Sequence, residues 1–233
     1  MAATNDAPVL APTTLSNAGT GIGGGRVLLW MLLVLAVVAA PTLGITYWLG
    51  KTSRAAQLPR LGQVPDFTLL DERGQTFTAH DLRDQVTIIN FIFTRCTSIC
   101  PATTLKMQRI QDKTAATDPA IRLLSFSVDP THDQPTVLAA YAKRYGVDET
   151  RWHFLTGSEA EMQRLVNGPF MNSMDRDGTQ ADGSPNIAHS AYFLLIGPDR
   201  EIRGAYDGND LVKLDQLMRN ARQLMRATLR ARK

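Results

Sequence analysis

The run Val86-Thr87-Ile88-Ile89-Asn90-Phe91-Ile92-Phe93 passes almost at once into Cys96-Thr97-Ser98-Ile99-Cys100-Pro101, and then into Leu105, Met107, Ile110 and Gln111. The first stretch is β-branched and aromatic and has the length of a buried strand; the last residues recur at helical spacing. A strand that feeds directly into a helix is the building unit of an α/β domain and excludes an all-α or all-β chain. The junction also places two sulfurs at a helix N-terminus, where backbone N–H groups and the helix dipole stabilise thiolates. Thr97 or Ser98 suits the N-cap, and Pro101 is tolerated in the first turn because its missing N–H has no partner there. Residues four apart share a helix face, so both sulfurs can reach one ion or each other. The chain has only 2 cysteines, which excludes a disulfide-dense scaffold and a four-cysteine zinc site. A disulfide, a redox couple and a small metal site stay open. The third intervening residue, against the two of Cys-x-x-Cys, weakens a thiol-exchange reading without removing it.

The rest of the globular region alternates strand and helix. Phe67 to Leu70 and Gln75 to Thr78 form a hairpin, and Asp81 to Asp84 a turn or short helix. Thr87 to Phe93 is the central strand, and the cysteine helix runs to about Thr114. Residues 121–128 make a second buried strand, ended by Asp129-Pro130. Residues 135–145 form a helix with Asp133 as candidate N-cap. Trp152 to Leu155 is a strand, and Ser158 to Glu161 a capping box opening a helix to Val166. Residues 168–187, rich in Gly, Pro and Asp, read as loop. Residues 190–196 and 201–206 form a second hairpin, and a terminal helix starts at Asp210. This order predicts a three-layer α/β/α domain on a mixed sheet. In the terminal helix Leu214, Leu217, Met218, Leu224 and Met225 oppose Arg219, Arg222, Arg226, Arg230, Arg232 and Lys233. An amphipathic helix packed on the sheet is preferred to a lipid-bound basic face.

A second feature lies outside any globular core. Residues 27–48 carry no charge, Arg26 and Lys51 close the run, and Trp30, Tyr47 and Trp48 sit near its ends. Roughly 20 apolar residues span a bilayer, and such aromatics suit its interfaces. The run exceeds the roughly 7–15 residues of a signal-peptide core, and a cut after Ala40 would leave Pro41 first. A retained anchor is therefore expected. The basic residues after the span (Lys51, Arg54, Arg60) outnumber Arg26 before it, yet long domains translocate largely regardless of such counts. The expected organisation is a disordered tail at 1–25, an anchor at 26–50, a linker at 51–63 and one domain at 64–233. The tail lacks the arginines of a transit peptide, which favours a bacterial inner membrane over a mitochondrial one. A formal charge of +3 gives no footing for nucleic acid.

Four histidines are available as a third ligand. His80 reads as a solvated turn residue, His132 as part of a helix start, and His153 as structural. His189 ends the long polar loop and directly precedes the buried strand of residues 190–196.

The segment Phe91-Ile-Phe-Thr-Arg-Cys96-x-x-x-Cys100-Pro101 resembles the cysteine motif of the Sco (SenC/PrrC) copper chaperones. Ser125-Phe-Ser-Val-Asp129-Pro130 and Ala188-His189-Ser190, leading into Tyr192-Phe-Leu-Leu-Ile-Gly-Pro-Asp199, resemble two further family motifs in the family's order. The resemblance covers roughly residues 64–225, and the anchor ahead of it also matches. It implies a thioredoxin-like fold with an N-terminal hairpin, and copper bound as Cu(I) or Cu(II) by Cys96, Cys100 and His189. It implies delivery to the CuA centre of cytochrome c oxidase, with the domain in the periplasm and a thiol reductase or another copper donor as further partners. Two thiolates suit Cu(I), and an added imidazole accommodates Cu(II). The chain departs from the common pattern at Ala188, Thr97 and Ser98, where many relatives are acidic or carry Pro. These changes remove negative charge and tilt the site toward thiol chemistry, so a thiol–disulfide reductase, with Cys96 and Cys100 as redox pair, is the alternative. A peroxidase would need a single activated cysteine and leaves the second sulfur and the histidine without a role. Asp129 reads mainly as a turn residue. Arg95 reads either as a solvated side chain or as a group that lowers the Cys96 pKa or guides an acidic partner.

Overall fold

The computed structural model describes residues 24–53, 58–96, 99–115, 121–170, 175–179, 185–188 and 191–231. The chain divides into two compact units, Met1–Gln57 and Leu58–Lys233. Within the first, α1 (Gly24–Ser53) is a helix of 30 residues that carries Pro41 inside it. It begins before the basic boundary at Arg26 and extends past Lys51. Leu28 to Leu35 and Val37 are 51% to 69% exposed. Taken over the described residues alone, no helix is long and apolar enough to cross a membrane.

The second unit is built on a six-stranded mixed sheet in the order β1-β10-β9-β4-β5-β6. Its centre is β4 (Val86–Ile92), in which every residue is buried. β5 (Ile121–Ser127) and β6 (Trp152–Leu155) run parallel to it, with Asn90 opposite Ser125 and Ser125 opposite Phe154. Parallel neighbours need helical crossovers, supplied by α2 (Ile99–Ala115) and α3 (Pro135–Arg144). On the other side of β4, β9 (Tyr192–Ile196) is antiparallel, and β10 (Glu201–Asp207) pairs back onto it. β1 (Gly62–Gln63) adds to β10 through Gly62 opposite Ile202, so the sheet begins inside the stretch that reads as linker.

Alternation along the strands sends successive side chains to opposite faces. On one face Trp152 Nε1 donates to Ser125 Oγ at 2.9 Å, and Ser125 Oγ donates to Asn90 Oδ1 at 2.6 Å. Helices cover that face. The Tyr141 ring meets Phe154 edge-on, Tyr141 and Thr104 share a hydrogen bond of 2.8 Å between α3 and α2, and α5 (Leu211–Ala231) reaches α2 through Arg222 and the Lys113 carbonyl. On the opposite face Phe126 packs between Phe91, Phe67 and Phe170. There the hairpin of β2 (Thr68–Leu70) and β3 (Thr76–Thr78), a 3-10 turn at Ala79–Leu82 and α4 (Glu159–Val166) close the core. The three-layer arrangement and the hairpin match the sequence reading.

Four local expectations are corrected. The α3 N-cap is Gln134 and makes no side-chain cap bond; Asp133 is instead drawn inward to hold the cysteine loop. Ser158 does cap α4, accepting from the Glu161 N–H, but the Glu161 carboxylate turns to Arg164 at 2.7 Å and completes no capping box. Leu105 is 48% exposed. The buried stripe of α2 is Cys100, Thr103, Thr104, Met107, Ile110, Gln111 and Thr114, a 3.6-residue period in which threonines stand beside the apolar residues. Finally, residues 168–187 are not all loop. β7 (Asp175–Thr179) and β8 (Pro185–Ala188) pair antiparallel, with Asp175 opposite Ala188. The ribbon rests on backbone pairing, for which the sequence has no apolar alternation to offer.

Candidate metal centre

β4 ends at Ile92, and three residues of turn deliver Cys96, whose N–H donates to the Phe93 carbonyl at 3.2 Å. The chain then re-enters as α2, with Cys100 in its first turn. Both cysteines are reduced and buried, Cys96 at 6% and Cys100 at 0% exposure. The Cys100 N–H points at Cys96 Sγ, 3.4 Å away. One of the unpaired amides of a helix N-terminus is therefore satisfied by sulfur, the contact expected to favour a Cys96 thiolate. The two sulfurs are not equivalent. The hydrogen bond with Cys96, followed by burial, pushes the Cys100 thiol well above the ordinary cysteine range. At Cys100, that contact and burial thus work against the thiolate-favouring helix N-terminus. Residues 97–98, the expected N-cap, lie outside the described residues.

The turn before Cys96 is fixed by two aspartates. Asp133, fully buried, accepts from the Thr94 N–H at 3.1 Å, the Thr94 hydroxyl at 2.5 Å and the Ser127 hydroxyl at 2.7 Å. Burial pushes its carboxyl up despite these donors. Asp129, also fully buried, takes both Arg95 Nε at 3.1 Å and a terminal Arg95 nitrogen at 2.6 Å on Oδ2. Asp129 is thus more than a turn residue, and Arg95 is neither simply solvated nor a bare charge beside Cys96. A guanidinium held from two nitrogens is oriented as well as charged. Sequence reading missed Thr94, Ser127 and Asp133 as a unit, although the spacing Ser127-x-Asp129-x-x-x-Asp133 was visible.

His80 is exposed, as expected of a solvated turn residue, and His132, ahead of α3, is exposed too. His153 is buried, and its Nδ1 lies 3.2 Å from Glu72 Oε1. Ligand-type atoms of Asp71, Glu72 and His153 fall within 4.8 Å of one another. The Arg73 guanidinium 2.9 Å from Asp71, and backbone donors to Asp71 and Glu72, already balance this cluster, which agrees with a structural His153. His189 lies outside the described residues. The flanking elements are described: β8 ends one residue before it at Ala188, and β9 opens at Tyr192. Because β9 runs antiparallel to β4, with Thr87 opposite Ile196 and Ile89 opposite Leu194, β9 starts at the sheet edge where β4 ends.

Paired sulfurs at the turn from the central strand of a mixed sheet into a helix, with an N-terminal hairpin closing one face, define a thioredoxin-like domain. The chain belongs to the SCO1/SenC family, whose model matches residues 56–226. It is 31% identical over 157 residues to the SCO1 protein homolog of Bacillus subtilis, covering 67% of this chain and 79% of that one. Among solved structures it superposes on BsSco, described as a member of the Sco family of cytochrome c oxidase assembly proteins with a disulfide switch, at TM-score 0.62 and 29% identity over 73% of this chain and 96% of that one. Arabidopsis thaliana ScoI, solved with copper bound, matches at TM-score 0.60 and 25% identity over 70% of this chain and 99% of that one.

Proposed function

We propose that this chain is a copper metallochaperone that binds Cu(I) or Cu(II) through Cys96, Cys100 and His189 and delivers it to the CuA centre of cytochrome c oxidase. The observation that carries the reading is the cysteine pair itself: two buried, reduced sulfurs joined through the Cys100 N–H, at the sheet edge from which the His189 segment departs. The donor set fits the cargo, since two sulfurs and one imidazole suit copper in both oxidation states. Three ligands leave a coordination position for an acceptor's incoming donor, which a closed four-ligand zinc site does not. Copper-bound ScoI and the oxidase-assembly role of BsSco support the reading by kinship.

A second reading has its own observation. Cys96, whose sulfur accepts the Cys100 N–H, and Cys100, whose thiol is pushed up by the Cys96 contact and burial, suit an attacking and a resolving thiol, and BsSco carries a disulfide switch. His189→Ala separates the two. As a chaperone, the variant loses copper while Cys96–Cys100 oxidation by glutathione disulfide proceeds at the parental rate. Loss of oxidation together with copper would instead place His189 in thiol chemistry.

We further propose that α1 anchors the protein in a bacterial inner membrane with the domain in the periplasm. The uncharged run 27–48 and the exposed leucines of α1 support this. A periplasm-active reporter fused after Lys233 is expected to be active; activity of only a cytoplasmic reporter at the same position would reverse the placement.

A further inference from the structure

Beside the cysteine turn lies an open cleft of about 400 Å³ lined by Thr94, Arg95, His132, Thr136, Arg144 and the apolar strip of Val137, Ala140 and Tyr141. Its chemistry is one-sided. Arg95, Arg144 and His132 supply donors, Thr94 and Thr136 hydroxyls, and among the described residues no carboxylate lines it. Asp129 sits beneath Arg95, fully buried, and holds the guanidinium in place while 35% of the Arg95 side chain stays exposed. Arg144 is exposed and makes no ion pair among the described residues. The cleft is tied to the cysteine turn through two of its lining residues. Arg95 directly precedes Cys96, and Tyr141 bonds through its hydroxyl to Thr104, one turn beyond Cys100 in α2.

We infer that this cleft is the docking surface for an acidic segment of the protein that receives the copper, with Arg95 and Arg144 reading its Asp or Glu side chains. The inference rests on the metallochaperone reading for the identity of the partner. Charge complementarity is its ground. A fixed guanidinium and a second one, without an ion pair among the described residues, recognise carboxylates, and the apolar strip between them suits the methylene stems and neighbours of such a segment. Arginines set beside the cysteine turn steer an acidic acceptor and disfavour a basic one. Cys96 and Cys100 are buried, and an acceptor held in this cleft lies alongside the turn that carries Cys96.

The test uses the full chain in detergent and two surface variants. Arg144→Glu removes a cation at the C-terminal end of α3. Thr136→Glu places a carboxylate in its first turn, where the helix dipole favours it. A shared loss of binding therefore cannot come from a shared loss of helix stability. Copper content of both variants is expected to equal the parent's. Binding of a hexaglutamate peptide, followed by titration calorimetry, is expected to weaken about tenfold in each variant and to fall in the parent with added salt. Copper transfer to the copper-accepting domain of the host's oxidase subunit is expected to slow in parallel. Parental peptide affinity in both variants, or no peptide binding by the parent, overturns the inference and leaves the copper reading standing. Failure of the parent to load copper while the peptide still binds overturns the copper reading instead.

Discussion

Removing the Asp133 carboxylate leaves the Thr94 N–H, the Thr94 hydroxyl and the Ser127 hydroxyl without this acceptor, at a site where Ser127 is fully buried and Thr94 partly so. Unsatisfied buried donors cost about 1–3 kcal/mol, so Asp133→Ala is expected to lower the urea midpoint accordingly and to loosen the turn that carries Cys96. Asp133→Asn keeps an acceptor oxygen and removes a buried charge whose carboxyl is already pushed up by burial. It is expected to stay within about 1 kcal/mol of the parent, and equal losses in the two variants would deny the carboxylate this role. The residue illustrates where sequence reading stops. An aspartate ahead of Gln134-Pro135 has the look of a helix cap, and nothing local announces that its partners lie 39 positions back at Thr94. Cys96 and Cys100, by contrast, were legible because strand, turn and helix signals converge on them within a short window.

At the level of elements, the strand following the histidine motif is pinned from below. The Gly208 N–H donates to the Ala191 carbonyl at 2.8 Å, and a Cβ on Gly208 would stand 2.4 Å from that same oxygen and 2.6 Å from the Phe193 ring. Gly208→Ala must therefore displace the backbone at the mouth of β9, at a cost of roughly 1–3 kcal/mol by the usual scale of overpacking. The expected result is a lowered thermal midpoint and a copper stoichiometry below the parent's. An unchanged midpoint would mean that this end of β9 yields freely. Five of the six strands of the main sheet, and the helices among the described residues, were legible from apolar runs and helical periods. The β7–β8 ribbon was not, because its residues have the Gly, Asp and Pro content of turns and pair by backbone alone. β1 was missed for its length: two residues, both exposed, have no pattern to read.

At the scale of the molecule, three carboxylates among the described residues, on separate segments, are held below their ordinary range. The Arg164 hydrogen bond holds Glu161 down and the Thr150 hydroxyl holds Asp148 down. For Asp81 burial works the other way, but the Thr78 backbone and hydroxyl donors outweigh it. A carboxyl depressed in the folded state contributes stability above its unfolded pKa and loses it as pH falls through the folded value. Stability is expected to hold down to about pH 5 and to decline below about pH 4. The triple variant Asp81→Asn, Asp148→Asn, Glu161→Gln should decline less steeply in urea titrations across that window; an identical slope would assign acid lability to other groups. The α/β architecture on which these groups sit followed from the alternation of strand and helix signals along residues 64–233. The copper assignment drew on three motifs in family order, since Cys-x-x-x-Cys alone left redox couple and metal site open.

The central claim is that Cys96, Cys100 and His189 form one copper site. Titrating the full chain with Cu(II), while following thiolate-to-copper charge-transfer absorbance and metal content, tests it most directly. The account predicts one copper per chain, loss of the band in Cys96→Ser and Cys100→Ser, and at least about tenfold weaker binding in His189→Ala, since even an outer partner of a metal ligand is worth 10–100-fold. Copper bound by His189→Ala with parental affinity and spectrum would contradict it.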